Sequence, residues 1–194
     1  METQQSSQHT NFPRKDFIVL RDIPFFMQIS KIRCGSYTTE WVARAVGTHP
    51  ISSNRILPGP VWFDMFRPIL PSKMRFLFKL RGLNSVEVDV SKFTDTEKID
   101  WIKREISLKR KPPALLIRTR TMHWIAIGGY DDERRIFYTY NPLYGSYSTS
   151  PDFPIGNSSI GYDELIKVWS GRFWLKYRAV VINTPDFPEP IALP

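Results

Sequence analysis

The chain contains a single cysteine, Cys34, and this count limits how a protein of its size can be held together. One thiol excludes an internal disulfide and a zinc site built from several thiolates. The 194 residues, 42% of them hydrophobic and 14% aromatic, must therefore fold around an ordinary apolar core, and their number suits one globular domain. A lone thiol in such a protein is either a small buried apolar group or a nucleophile.

We expect one folded unit between two tails. Residues 1–15 are polar, and residues 184–194 contain four prolines, so both segments are predicted to be tails or docked extended segments. A single domain is then predicted over residues 16–183. Predicted helices come first along the chain and predicted strands come later. This order favours an α+β fold in which a helical N-terminal half packs on an antiparallel sheet.

The individual elements follow from hydrophobic periodicity and from start and stop signals. Thr94 and Glu97 form a capping-box pattern, and the helix that they begin is expected to end near Lys111, before two prolines. After a cap at Ser72, the sequence fits either a helix or a strand over 75–80. Further helices are predicted after Cys34, at 61–70 and at 162–169, and strands at 86–90, 115–119, 124–130, 136–140 and 179–182.

The positive charge of the chain is concentrated in one segment. Between Arg67 and Arg120 there are 14 Lys and Arg residues against 6 Asp and Glu residues, which accounts for the formal net charge of +8. Such a segment indicates an anionic partner, either a nucleic acid or a membrane surface. The alternative is a solvated helix face, since no nucleic-acid-binding motif accompanies the charge.

Neither a membrane span nor an export signal is found in the sequence. No apolar run approaches the ~18 residues that a membrane-spanning helix needs. The polar N-terminal sequence also lacks the basic-then-apolar pattern of a secretory signal. We therefore expect a cytoplasmic protein without a transmembrane segment, with leaderless export or delivery as an effector as the alternative.

Cys34 is predicted to lie at the start of a helix, after an irregular segment that ends with Arg33. Unpaired backbone N–H groups and the helix dipole stabilise negative charge at this end, and Arg33 adds a positive charge, so the thiolate is favoured there. A thiolate attacks carbonyl carbon, which makes the position suitable for a nucleophile. The alternative is a buried structural cysteine.

A cysteine nucleophile needs a general base, and the chain has three histidines. Of these, only His123 lies at the start of a predicted core strand. After one hairpin turn, Asn141 ends the next strand, and antiparallel pairing would bring its carbonyl oxygen close to a ring N–H of His123. Taken singly, the two residues are also explained as a structural strand histidine and a turn former before proline.

Gln28 lies six positions before Cys34 in the sequence. Acyl transfer generates an oxyanion, which a side-chain amide and the backbone N–H of the nucleophile can stabilise together. Gln28 is therefore a candidate oxyanion donor, although by itself a glutamine in a loop has no such meaning. The site predicted in this way uses neither a cofactor nor a metal ion.

Together these residues resemble the papain-like cysteine peptidase superfamily, and within it the C39-like branch related to bacteriocin-processing peptidases. The resemblance covers residues 23–182 and rests on the order glutamine, cysteine, histidine, asparagine and on the sequences around them. It implies Cys34 as nucleophile and His123 as general base and acid. By the same resemblance Asn141 orients the imidazole and Gln28 donates to the oxyanion. The asparagine is similar to that of papain, whereas C39-like sequences commonly have aspartate there.

The function implied by the resemblance is a hydrolase that cleaves a peptide or isopeptide bond of a protein or peptide through a covalent thioester. The same Cys-His-Asn triad also serves an acyltransferase or a deamidase. A third alternative is a non-catalytic basic module that binds nucleic acid or another anionic surface. Aromatic and basic side chains interleave in Arg75-Phe76-Leu77-Phe78-Lys79, as in surfaces that stack single-stranded nucleic acid, although such aromatics also suit a core.

Overall fold

The computed structural model describes residues 17–18, 23, 33–48, 70–143, 155–171 and 175–183. Within these residues the chain forms helices and strands that alternate irregularly along the sequence. In chain order they are β1 (Phe17–Ile18), α1 (Cys34–Ala45), α2 (Pro71–Lys79), β2 (Ser85–Asp89), α3 (Asp95–Ser107), β3 (Ala114–Arg118), β4 (Met122–Asp131), β5 (Ile136–Tyr140), β6 (Ser158–Gly161), α4 (Tyr162–Trp169) and β7 (Arg178–Ile182).

The strands belong to one antiparallel sheet with helices on both faces. Its strand order is β2-β7-β3-β4-β5-β6, and β1 pairs with β4 outside this path. On one face Trp41 of α1 shares a hydrophobic cluster with Trp124 of β4. On the other face Trp169 of α4 and Ile102 of α3 share a cluster with Ile125. The predicted combination of helices with an antiparallel sheet is therefore confirmed.

The central strand β4 is buried along nearly its whole length, with nine of its ten residues in the buried class. Because side chains alternate along a strand, Trp124 and Ala126 point toward α1 and α2, and Ile125 and Ile127 point toward α3 and α4. A strand covered on both faces needs apolar residues in both phases. This explains the continuous hydrophobic run in its sequence.

A bulge in β4 lets α1 approach the sheet closely. The register with β5 shifts between Ile127 and Gly129, and a Cβ on the intervening Gly128 would lie 2.7 Å from the ring of Trp41. Trp41 in turn stacks on Tyr140 of β5, with ring centroids 5.4 Å apart. A side chain at the bulge would push the helix away from the sheet, so the glycine sets their separation.

The helix α1 has no solvent-exposed side, because all 12 of its residues are buried. Its charged side chains have internal partners. Arg44 Nε donates to Glu40 Oε1 at 3.1 Å, and Arg81, in the turn after α2, donates through Nε to Glu40 Oε2 at 3.2 Å. Two guanidinium groups thus compensate the buried carboxylate, which would be costly to bury alone.

The capping box predicted at the start of α3 is confirmed. The Thr94 side chain accepts from the backbone N–H of Glu97, and the Glu97 carboxylate accepts from the backbone N–H of Thr94 at 2.7 Å. The helix ends at Ser107, earlier than the expected end near Lys111. The helix cannot continue to Lys111, because Arg110 has a φ of 53°, in the left-handed region that an α-helix does not include.

The ambiguous segment around 75–80 is a helix, because α2 spans Pro71–Lys79. The cap expected at Ser72 is wrong: Leu70 is the N-cap, and Pro71 occupies the first turn, where its fixed φ suits the helix. The strands β1 and β6 had no clear sequence signal. Both predicted tails and residues 61–69 of another predicted helix lie outside the described residues.

Candidate active site

His123 and Asn141 meet at one end of the sheet. His123 is the second residue of β4, and Asn141 follows the last residue of β5. The pairing of Ala126 with Tyr140 sets these two strand ends side by side. The Nε2 atom of His123 lies 2.7 Å from Oδ1 of Asn141. Because a carbonyl oxygen can only accept, Nε2 carries the proton, and Nδ1 is the unprotonated nitrogen of the neutral ring.

Burial favours the neutral form of the His123 ring. It is 4% exposed, and this burial lowers the pKa of His123 from 6.5 to about 4, while the hydrogen bond with Asn141 acts in the opposite direction. Burial has this effect because the positive ring loses more hydration than the neutral one. Nδ1 is thus able to accept a proton, and Oδ1 of Asn141 stabilises the imidazolium that results.

The side chain of Asn157 holds the backbone of Asn141. Its Oδ1 accepts from the Asn141 N–H and its Nδ2 donates to the Asn141 carbonyl, both at 2.8 Å. Oδ1 of Asn141 also accepts from the N–H of Leu143 at 3.1 Å. The amide that holds His123 is therefore itself fixed in position. Sequence reasoning missed Asn157, because a side chain that pairs with a distant backbone leaves no local pattern.

Cys34 is the first residue of α1. Arg33, the N-cap residue, makes no side-chain capping hydrogen bond, and the first turn contains no acidic residue. The positive end of the helix dipole therefore acts on the thiol without a carboxylate of the same turn opposing it. Cys34 is buried, with 8% of its surface exposed.

One turn after Cys34, α1 is hydrogen-bonded to β4 next to His123. Oγ1 of Thr38 donates to the carbonyl of Trp124 at 3.1 Å. Further along the helix, Trp41 lies over the middle of β4, so α1 begins at the His123 end of that strand. Because residues four apart share one side of a helix, Cys34 lies on the side that faces β4. Three of the four predicted site residues are thus carried by adjacent elements.

Arg81 anchors the start of α1. Its Nη2 donates to the carbonyl of Ser36 and its Nη1 to the carbonyl of Leu77, each at 3.0 Å, while Nε binds Glu40. Burial lowers the pKa of Arg81, and Glu40 opposes this change. One guanidinium thus connects the end of α2 to the first turn of α1, two residues after Cys34. This tether also had no sequence signal.

The fourth predicted residue, Gln28, lies outside the described residues. A cavity of about 300 Å³ lies on the face of the sheet that α4 covers. Its walls include Asn141, Ile125 of β4 and Glu164 of α4.

In the part of the chain that the structure describes, no group of three or more His, Cys, Asp and Glu side chains is placed to hold a metal ion. None of the described helices combines the length and the hydrophobicity of a membrane span.

The fold is similar to that of a candidate C39-like peptidase from Bacillus anthracis, with a TM-score of 0.56 and 11% identity over 88% of this chain and 98% of that chain. A double-glycine-motif protease from an AMS/PCAT transporter, in complex with the leader peptide, aligns with a TM-score of 0.48 and 12% identity over 88% of this chain and 99% of that chain. No family model matches the sequence, and no curated protein matches it. The chain therefore has the papain-like fold of C39-like peptidases, as its sequence predicted.

Proposed function

We propose that this protein is a cysteine peptidase-like hydrolase that cleaves a peptide or isopeptide bond of a protein or peptide. The observation that carries the proposal is the 2.7 Å hydrogen bond between His123 and Asn141, at the end of β4 where α1 begins with Cys34. The C39-like peptidase fold supports the same assignment. Cys34 is then the nucleophile and His123 the general base and acid. Asn141 orients the ring, and Gln28 is the oxyanion donor.

The first half of the proposed reaction forms a thioester. Nδ1 of His123 takes the proton of the Cys34 thiol, and the thiolate attacks the carbonyl carbon of the scissile amide. The oxyanion accepts hydrogen bonds from backbone N–H groups at the start of α1 and from the amide of Gln28. Collapse of this intermediate breaks the C–N bond. The leaving amine takes the proton from the imidazolium, and the acyl group stays on sulfur.

The second half releases the acyl group to water. His123 takes a proton from water as the oxygen attacks the thioester carbonyl, and Cys34 leaves as a thiolate that the imidazolium reprotonates. Throughout, Asn141 keeps the Nε2 side of the ring occupied, so that Nδ1 remains the working nitrogen. An amine in place of water would give acyl transfer, and a glutamine side chain as substrate would give deamidation.

The first test measures thiol reactivity, because the single cysteine makes every thiol label a report on Cys34. The rate of alkylation by iodoacetamide is followed against pH in the wild type, in His123→Gln and Asn141→Ala, and in the matched control Asn183→Ala. We expect the wild type and the control to react at lower pH than the two site variants, because an oriented His123 ring accepts the thiol proton at Nδ1 as the sulfur attacks the reagent. A His123→Gln profile that equals the wild-type profile would remove His123 as the base.

The second test identifies the reaction. Fluorogenic peptides and isopeptides are screened, and the intact protein is analysed by mass spectrometry for an acyl group on Cys34. Cys34→Ala is expected to lose both turnover and the acyl adduct. Full activity in Cys34→Ala on a substrate of the wild type would refute the nucleophile. Products in which an added amine replaces water would assign the site to the acyltransferase class instead.

A further inference from the structure

The cavity beside Asn141 lies on the leaving-group side of the proposed hydrolase site. In the proposed reaction the imidazolium of His123 gives the proton on Nδ1 to the leaving amine. Asn141 binds the opposite nitrogen of the same ring, Nε2, at 2.7 Å, and it also lines the cavity. The cavity therefore begins the width of an imidazole ring away from the leaving amine. A long side chain that follows the scissile bond is able to span this distance.

The buried wall of the cavity is aliphatic. Ile117 of β3 and Ile125 of β4 line it and are 3% and 2% exposed, and Ile160 and Val168 line it from β6 and α4. The volume of about 300 Å³ is at the lower end of the range for small-ligand sites, so the cavity suits one side chain rather than a length of peptide. An aliphatic stem is stabilised against this wall because it leaves water there.

One hydrogen-bond donor of the wall has no partner, and it belongs to Asn141. Its Oδ1 binds His123 and the N–H of Leu143, but its Nδ2 makes no hydrogen bond in the described part of the chain, although the residue is only 9% exposed. By contrast, the hydroxyl groups of Thr139 and Ser158 bind each other at 2.6 Å. A buried amide donor without a partner is costly, and a carbonyl of a bound substrate satisfies it.

The cavity carries one negative charge. Among the described residues that line it, only Glu164 of α4 has an ionisable side chain. Glu164 is exposed, and no cation of the described chain is paired with it, whereas the neighbouring Asp163 is paired with Arg135 at 3.4 Å. An apolar wall that leads to a carboxylate near water suits lysine and arginine, whose stems prefer apolar surface and whose charged ends prefer an acid.

The two arginines of the neighbouring β3–β4 turn do not line the cavity. Arg118 pairs with Met122 in the register of the two strands, and Met122 packs against the hydrophobic cluster on the α1 face. Because paired residues share one face of a sheet, Arg118 lies on the face opposite to α4. Arg120 is exposed in the turn. The carboxylate of Glu164 is therefore the formal charge that a ligand in the cavity meets.

We propose that this cavity is a substrate subsite for the side chain of a lysine or arginine residue that follows the scissile bond. The inference rests on the proposed hydrolase function and narrows its substrate to peptides that are basic on the leaving-group side. The stem lies against Ile117 and Ile125, and the cation binds Glu164. Nδ2 of Asn141 donates to a backbone carbonyl of the same substrate residue. An aliphatic side chain would leave the carboxylate without a partner, and an acidic one would be repelled by it.

The test compares four peptide pools that are randomised on the acyl side and carry lysine, norleucine, alanine or glutamate after the scissile bond. New N-termini are measured by mass spectrometry at low peptide concentration, which gives the relative kcat/KM of each pool. The variants are Glu164→Gln and Val168→Phe, the second of which fills the cavity. Asp163→Asn is the matched control, because it removes the neighbouring carboxylate of α4, which does not line the cavity. Thermal unfolding of each variant separates lost recognition from lost folding.

We expect the wild type to cleave the lysine pool about fivefold faster than the norleucine pool, the upper end for a charge pair near the surface. Glu164→Gln should cleave these two pools equally, and Asp163→Asn should keep the wild-type preference. Val168→Phe should slow both pools relative to the alanine pool. The subsite is refuted if the wild type shows no preference for lysine, or if the preference persists in Glu164→Gln. Fastest cleavage of the glutamate pool would also refute it and assign recognition to Arg118 and Arg120.

A binding measurement in Cys34→Ala separates the subsite from the hydrolase function. Nα-acetyl-lysine methylamide is titrated into isotope-labelled protein, with the norleucine analogue as the reference, and the NMR shifts of the Thr119 and Glu164 amides are followed. If the wild type cleaves no pool, the hydrolase proposal fails and this titration decides about the cavity. Saturable shifts with the lysine probe alone, removed by Glu164→Gln, would retain it as a site for a basic side chain. Absent shifts, or equal shifts with both probes, would overturn it.

Discussion

Acid should unfold this protein through His123. The pKa of this ring is lowered from 6.5 to about 4 in the folded state by burial. Between these two values the unfolded chain binds a proton at His123 that the folded chain does not, so lowering the pH stabilises the unfolded state. The contribution of the neutral ring to stability is complete above pH ~6.5 and is lost progressively as the pH falls toward ~4.

The magnitude follows from the same two values. At about 1.4 kcal/mol per pKa unit, the full difference corresponds to roughly 3 kcal/mol, of which about 2 kcal/mol is lost between pH 7 and pH 5. This is a large part of the ~5–15 kcal/mol that stabilises an ordinary domain. The ring is nearly inaccessible to solvent, so screening by water reduces the effect little.

Urea unfolding at a series of pH values measures the effect, with His123→Gln as the reference. Glutamine can still donate toward Asn141 but does not titrate, and all other groups contribute equally to both proteins. The difference between the two stability curves therefore isolates His123. Parallel curves would show that folding does not lower the pKa of His123. A difference of opposite sign would show that the resting protein holds His123 as an imidazolium paired with the Cys34 thiolate.

Three further predictions concern residues that hold the candidate site in place. Arg81→Ala leaves Glu40 with one partner fewer and should lower the free energy of unfolding by about 3–5 kcal/mol in urea titrations; a loss below ~1 kcal/mol would contradict the buried tether. Asn157→Ala should lower kcat on any substrate about tenfold or more with little change in KM, and an unchanged kcat would mean that it positions nothing. Gly128→Ala should cost about 1–3 kcal/mol by forcing Trp41 away, and a thermal melt equal to the wild type would show that α1 can shift freely.

Local sequence patterns were sufficient for most of the fold. The Thr94 capping box and the β4 hydrophobic run are patterns of neighbouring residues. The start of α3 and the strand β4 lie where these patterns predicted them. The errors arose where backbone conformation depends on single residues or on pairing. The positive φ of Arg110 ends α3 early. The strand β6 forms by antiparallel pairing with β5, which local sequence does not show.

The order and residue types of the candidate site were also accessible from the sequence. A thiol at a helix start and a histidine and an asparagine at neighbouring strand ends can be recognised without coordinates. Hairpin pairing then limits how far His123 and Asn141 can be apart, since β4 and β5 are connected by a short turn.

The amino-acid sequence by itself determined that one thiol, one core-strand histidine and one strand-end asparagine were available, and that no disulfide could hold the fold. Only the tertiary structure decided how these groups are supported. The amide pairing of Asn157 and the guanidinium tether of Arg81 both depend on residues that are distant along the chain. The physical reason is that burial and hydrogen bonding between distant segments arise only when the chain is folded, whereas helical periodicity, capping and strand alternation are local.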